Sequence, residues 1–375
     1  MKFSTICLFV ALGSVMVLGP AVAAAQCKWT VTHAHDRSQN GDLLNGVFAV
    51  SRTDAWAVGA HYDPFFQAFK PLTEHWDGNE WTIVPAPGVR AHKDDRLAAT
   101  TAASSDDVWA VGNEEASGVE VPLIEHWNGA SWTLVPMKGL PSTFLSGVAA
   151  VESSDVWMVG ASSSAPGLVQ TFVGHWDGAV WSQVPSPNVG SGSNELNGVA
   201  ARSSSDVWAV GAYVDSSGVE QTLTEHWDGS VWSIVPSPDE SVYGNRLDAV
   251  TMITRDDAWA VGTYNDGVRF KALVEHWNGV AWTLVHGVSP GTEFSILNSI
   301  SAVGPQDVWT VGIRGRPGNT ATLTEHWDGS RWSVVQSPDF ANEQTILAGV
   351  SAILREDVLA VGSHGSRALG LRFHC

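Results

Sequence analysis

The chain has 375 residues, with 39 Asp and Glu against 20 Lys and Arg and a formal net charge of -19. Its basic residues are scattered, so there is no basic footprint for nucleic acid or an anionic membrane surface, and the excess carboxylate suits solubility. With 44% hydrophobic residues it has the composition of a folded domain.

In chain order, Met1-Lys2, the apolar run from Phe3 to Leu18 and the small residues Ala21 to Ala25 have the charged, apolar and cleavage regions of a secretory signal. Residues 1–25 are therefore read as a leader, with a mature, secreted chain starting at Gln26. A lipoprotein site would need a small residue where Gln26 stands. No later apolar stretch approaches the ~18 residues of a membrane span, so no membrane insertion is expected. Loss of the leader removes Cys7 and leaves Cys27 and Cys375, which an oxidising compartment would favour as a disulfide.

From residue 26 to 375 the chain repeats one unit, Asp-x-Trp-x-Val-Gly, a variable gap, then His-Trp-Asp/Asn-Gly-x-x-Trp. The repeated Asp positions are Asp54, Asp107, Asp155, Asp206, Asp257, Asp307 and Asp357. A period of about 50 residues with short apolar runs and turn signals is that of stacked four-stranded blades. In the unit from Leu196 to Pro238, strands are predicted at Leu196 to Ala201, Val207 to Val210, Thr222 to Trp227 and Trp232 to Val235. Asp228-Gly229 is read as a two-residue hairpin turn. The fold expected is all-β, a single seven-bladed β-propeller domain of four-stranded antiparallel blades.

Lys28-Trp29-Thr30-Val31 matches a fourth strand and Leu371 to Cys375 a third, so the N-terminal strand is predicted to complete the last blade and close the ring. Alignment puts Cys375 where other blades have the Trp before Asp-Gly, with Cys27 facing it across the missing turn. Directly opposed Cα atoms in such a pair lie ~5.5 Å apart, within disulfide reach.

The Val-Gly end of the second strand, the aromatic-Asp pair on the third and the Trp opening the fourth resemble kelch and galactose-oxidase-like propellers over the whole mature chain. Two features depart from the kelch pattern: a single Gly (Gly59, Gly112, Gly211) where kelch repeats carry a pair, and Trp-Asp or Trp-Asn in place of Tyr-Asp. Galactose oxidase itself implies copper-radical chemistry on a cross-linked Cys and Tyr, for which no spare Cys is present.

All 19 Trp fall on three repeat positions, as expected of an inter-blade core in which each ring buries apolar area and its N–H finds a partner. Seven His (His75, His126, His175, His226, His276, His326, His374) and the Glu preceding five of them are read as bonding within their own blades. The Asp of Asp-x-Trp is read as a turn residue accepting backbone N–H groups.

Function is sought in what varies, the loops joining strands two to three and blade to blade, which emerge on one face. Two residues past each second-strand Gly lie His61, Glu114, Ser162, Tyr213, Tyr264, Arg314 and His364. Arg96, Glu195 and Arg246 sit where the innermost strands begin. Tyr213, Tyr243 and Tyr264 gather at blades four and five, where exposed aromatics would stack on a glycan or anchor an extracellular protein, with Tyr213 and Tyr264 expected to contribute to binding and not to stability. No cofactor is required by this reading.

An alternative is a metal-assisted extracellular enzyme, a lyase or hydrolase on a polar substrate. His33, His35, His61 and His364 would gather around a transition metal at blades seven and one, with His92 nearby and Asp36 or Asp63 as further ligand or base. Arg96, Arg246 or Arg314 would then hold an anionic group.

Overall fold

Short β-branched and aromatic runs separated by Gly turns form 28 strands. The computed structural model describes residues 27–375 except 33, 35, 38–40, 89–92, 116–118, 166, 292, 317 and 341–342. The leader assigned to residues 1–25 lies outside the described residues. Blade 1 consists of Asp42–Ser51, Asp54–Asp63, Ala68–Trp76 and Trp81–Ile83, from the innermost strand to the outermost. The pattern repeats, and one parallel pair, Phe270 with Phe294, links blades 5 and 6. Blade 7, Thr345–Leu354, Asp357–His364 and Arg367–His374, takes its outer strand from Lys28–Thr32. The result is a seven-bladed β-propeller.

The closing register differs from the alignment made on sequence. Trp29 pairs with Phe373 and Lys28 with His374, whereas Trp232 pairs with Trp227 in blade 4. Phe373, and not Cys375, thus holds the place of the Trp before Asp-Gly, and Cys375 takes the place of the turn Gly. The Cys27–Cys375 disulfide forms, with Cα atoms 4.0 Å apart.

Between blades the Trp residues form a repeated triad. Trp208 on the second strand of blade 4 meets Trp277 at 4.9 Å and the edge of Trp282 at 5.1 Å, both in blade 5. Trp56 does the same with Trp127 and Trp132, and Trp309 with Phe373 and Trp29. Blade 7 supplies Leu359 instead, packed with Trp76 and Trp81. The inter-blade core is as expected, but the indole hydrogen bonds are not. Trp56, Trp109, Trp157, Trp208 and Trp259 have no acceptor among the described residues. Their edge-on contacts set ring edges against ring faces, which offsets part of that cost. The third-strand indoles do find partners, for example Trp227 donating to the Ser204 carbonyl at 3.0 Å.

Six of the seven repeat His bond within their own blades, and the partner of each is the Asp of Asp-x-Trp. His226 Nε2 lies 2.8 Å from Asp206 Oδ1, and the same pair recurs in blades 1, 2, 3, 5 and 6. That Asp is therefore a side-chain clamp and not a turn cap. In blade 7 the clamp is Arg372, which donates to both Asp357 oxygens at 2.7 Å. His374, counted with the others on sequence, instead faces Thr30. The Asp-Gly turns are four residues long: Trp227 pairs with Trp232. Asp228 Oδ1 accepts the N–H groups of Ser230 and Val231, and Gly229 takes φ +99°.

The Glu preceding the repeat His is wholly buried in five blades, Glu74, Glu125, Glu225, Glu275 and Glu325. Each of three accepts from the inter-blade loop preceding its blade: Glu225 from the Ser186 hydroxyl at 2.7 Å, Glu325 from Val288 N–H at 3.3 Å and Glu125 from Gly88 N–H at 3.4 Å. Neither Glu275 oxygen has a hydrogen-bond partner among the described residues. Burial pushes Glu125, Glu225 and Glu325 up to about 8, and Glu275 well above the usual carboxylate range. Blade 3 has Gly174 at this position, with Met158 filling the space.

Every innermost strand carries a bulge immediately after the Leu that recurs in each blade. The bulged residues, among them Asn45, Asn197, Asp248 and Asn298, line an axial cavity of about 230 Å³. Asn45, Asn197 and Asn298 each donate across to the next blade's Leu carbonyl, at 2.7, 2.9 and 2.8 Å. The axis is thus stitched blade to blade.

Candidate functional site

The variable loops converge on the end where the innermost strands begin. There the ring of residues two past the second-strand Gly pairs, strand to strand, with a second ring that sequence reading passed over. His61 faces Asp42, Glu114 faces Asp95, Tyr213 faces Asn194, Tyr264 faces Asn245, Arg314 faces Ser295 and His364 faces Thr345. These inner-ring residues are buried, and Asn194, Asn245 and Ser295 pin the loops above them. Asn194, for example, accepts Val189 N–H at 2.8 Å and donates to the Gly192 carbonyl at 2.9 Å. Its signal in the sequence is a polar residue two before each inner-strand Leu.

At blades 7 and 1, His61 is only 7% exposed, and burial lowers its pKa. His364 stacks on Phe340 at 4.2 Å and bonds Glu343 through Nδ1 at 2.8 Å. Asp36 accepts Ala368 N–H at 3.0 Å, and Asp63 caps Phe65 N–H at 2.8 Å. His33, His35 and His92 lie outside the described residues. Among the described residues, the one trio of His, Cys, Asp or Glu with donor atoms within 4.8 Å of one another is Cys27, Glu356 and Cys375, whose sulfurs are already joined.

The three arginines assigned to anion binding each face a carboxylate. Arg96 meets Asp94 at 3.0 Å and lies 3.9 Å over Phe69. Arg314 meets Asp339 at 3.2 Å. Arg246 is held between Asp248 at 2.7 Å and Glu195 at 3.2 Å. Glu114 is buried.

The tyrosines divide. Tyr213 and Tyr264 are half-buried and pack against the hydrophobic clusters between blades 3 and 4 and between blades 4 and 5, so both have a structural role. Tyr243 is 62% exposed. It stands over a cavity of about 330 Å³ at blades 4 and 5, whose wall includes Glu220, Asn245, Arg246, Thr263, Asn265 and Phe270. Phe270 is 51% exposed.

Local turn chemistry holds these walls. Asp215 accepts Ser217 N–H at 2.7 Å and Val219 N–H at 3.1 Å, setting the loop that delivers Glu220. Tyr243 N–H donates to Ser241 Oγ at 3.1 Å, and Asn265 accepts Gly267 N–H at 2.9 Å. The Tyr243 ring lies against Gly267, where an added Cβ would come 2.7 Å from Cε2 and where φ is +93°. Gly267→Ala should therefore displace the Tyr243 ring, while lowering stability by only ~1 kcal/mol. A crystal structure of the variant beside a melting curve checks both.

Solved structures resemble this chain along nearly its whole length. YCF48 bound to D1 peptide aligns over 95% of this chain and 97% of its own, at 15% identity and TM-score 0.58. A polysaccharide lyase, an ulvan lyase bound to a glucuronate and sulfated-rhamnose unit, aligns over 88% and 93% at 9% identity and TM-score 0.56. The fucose-specific lectin from Aleuria aurantia aligns over 80% and 96% at 12% identity and TM-score 0.52. The likeness is one of fold. No protein-family model and no curated protein matches the sequence.

Proposed function

We propose that this protein is an exported binding module that recognises a glycan or an extracellular protein through the pocket at blades 4 and 5. The observation that carries this reading is the pair of exposed aromatics, Tyr243 and Phe270, over a cavity with carboxylate, amide and guanidinium groups in its wall. Propellers of the same fold include a lectin, a polysaccharide lyase and a peptide-bound protein, so the architecture accommodates such ligands. Export is supported by the disulfide. Closer kinship with kelch repeats, supported by the Val-Gly strand end and the Trp of the outer strand, belongs to the same proposal.

The test is the Tyr243→Ala, Phe270→Ala double variant on a glycan array and against extracellular proteins. Loss of binding by at least about tenfold is expected, since aromatic anchors dominate such sites. The melting temperature should hold within a few degrees because both rings are largely exposed. Binding at wild-type strength by the folded variant would overturn the assignment.

A further inference from the structure

We infer that the pocket at blades 4 and 5 selects a protonated amino sugar, an oligosaccharide whose rings carry free ammonium groups; this rests on the binding-module reading above. The first ground is the charge. Three carboxylates, Glu195, Glu220 and Asp248, act electrostatically on the single guanidinium of Arg246. Arg246 is already in contact with Asp248 and Glu195. Glu220, exposed in the pocket wall, has no hydrogen-bond or ion-pair partner for its carboxylate among the described residues. The site therefore presents a net negative field with one uncommitted carboxylate.

An anionic sugar would find the guanidinium of the described wall, Arg246, already held between carboxylates, and Arg96 and Arg314 on the same face are paired with Asp94 and Asp339. A ligand ammonium, in contrast, gains a charge-assisted hydrogen bond from Glu220 and a cation–π contact from the exposed rings of Tyr243 or Phe270.

The second ground is shape and polarity. Two aromatic rings beside a cavity of about 330 Å³ suit the apolar faces of pyranose rings. The Asn265 amide in the same wall suits a sugar hydroxyl. A lysine side chain offers the same charge but neither the ring faces nor the hydroxyls.

The experiment compares binding of the full chain to a glucosamine oligomer and to the N-acetylglucosamine oligomer of equal length, which differ in the amine charge. Expected is at least about tenfold tighter binding of the glucosamine oligomer, the size of one charge-assisted hydrogen bond, weakening as salt rises. Glu220→Gln should bring the two affinities together, and Tyr243→Ala should remove binding of both. Equal or better binding of the acetylated oligomer, or unchanged preference in Glu220→Gln, overturns the proposal. So does a lysine oligomer that competes at equal affinity, since the ligand would then be a basic peptide. If neither oligomer binds but another glycan or protein does, and Tyr243→Ala loses it, the amine selectivity falls and the binding-module reading stands. If no ligand depends on Tyr243 or Phe270, the reading itself falls.

Discussion

Replacing Cys27 or Cys375 by Ser should lower the free energy of unfolding by ~5 kcal/mol, the loss of loop-closure entropy for a cross-link that encloses almost the whole chain. The two residues are 348 apart in sequence. Without the bond, the outer strand of blade 7 is held by a five-residue register, Lys28 with His374 through Thr32 with Gly370. One large apolar anchor in that strand is Trp29, packed 5.7 Å from Trp309 and 5.6 Å from Phe373. Fraying would withdraw Trp29 and open the seam between blades 6 and 7. Denaturant melts of either variant, and of the wild type under reducing conditions, should show the same fall in midpoint. A midpoint unchanged in all three would mean that the strand pairing alone closes the ring.

Stability should also rise on moving from about pH 8.5 to about pH 5.5, in spite of the usual tendency of acid to weaken folded proteins. Glu125, Glu225 and Glu325 are held near 8 by burial, and burial also raises Glu275 well above the usual carboxylate range. In the unfolded chain these carboxyls titrate near the ordinary Glu value. Between the two values the folded state binds more protons, so their stabilising contribution is complete below the unfolded pKa and is lost as pH rises through about 8. A one-unit displacement corresponds to ~1.4 kcal/mol, so three such groups moved between neutrality and pH 5.5 should add several kcal/mol and raise the melting temperature by roughly 10 °C. The exposed turn aspartates with depressed pKa, such as Asp228 and Asp328, lose their contribution only at much lower pH, outside this window. Changing Glu125, Glu225, Glu275 and Glu325 together to Gln should flatten the profile. A flat wild-type profile would show that these carboxyls are ionised in the folded state.

The blades were legible because stacking demands the same large side chain at the same place in each repeat, and Trp is rare enough to mark it. The seam was misread by two residues because Leu371-Arg372-Phe373-His374-Cys375 contains a His near the motif position, while the residue playing the His role is Arg372. Phe373, the aromatic that replaces Trp, was the better guide. The site was less legible. Tyr213 and Tyr264 share a register position whose side chains pack between blades, and chain spacing alone does not separate that from exposure. Tyr243, in the loop between blades, stands out in the sequence and is exposed at the proposed site. Phe270 and Glu220, the other residues of the proposed site, do not stand out in the sequence: each opens a third strand just after a variable loop, where a strand-forming residue and a solubilising carboxylate read as ordinary.

The closing of blade 7 by Lys28–Thr32 has a consequence for the order of folding. The first strand of the propeller to be synthesised is the last to find its neighbour, since Arg367–His374 follows only after every other blade has been made. Until the two strands meet, each leaves an unpaired edge, open to the matching edge of another copy. Contacts so distant in sequence form slowly. Concentrated refolding should therefore yield strand-exchanged oligomers, joined through Cys27 of one chain and Cys375 of the next.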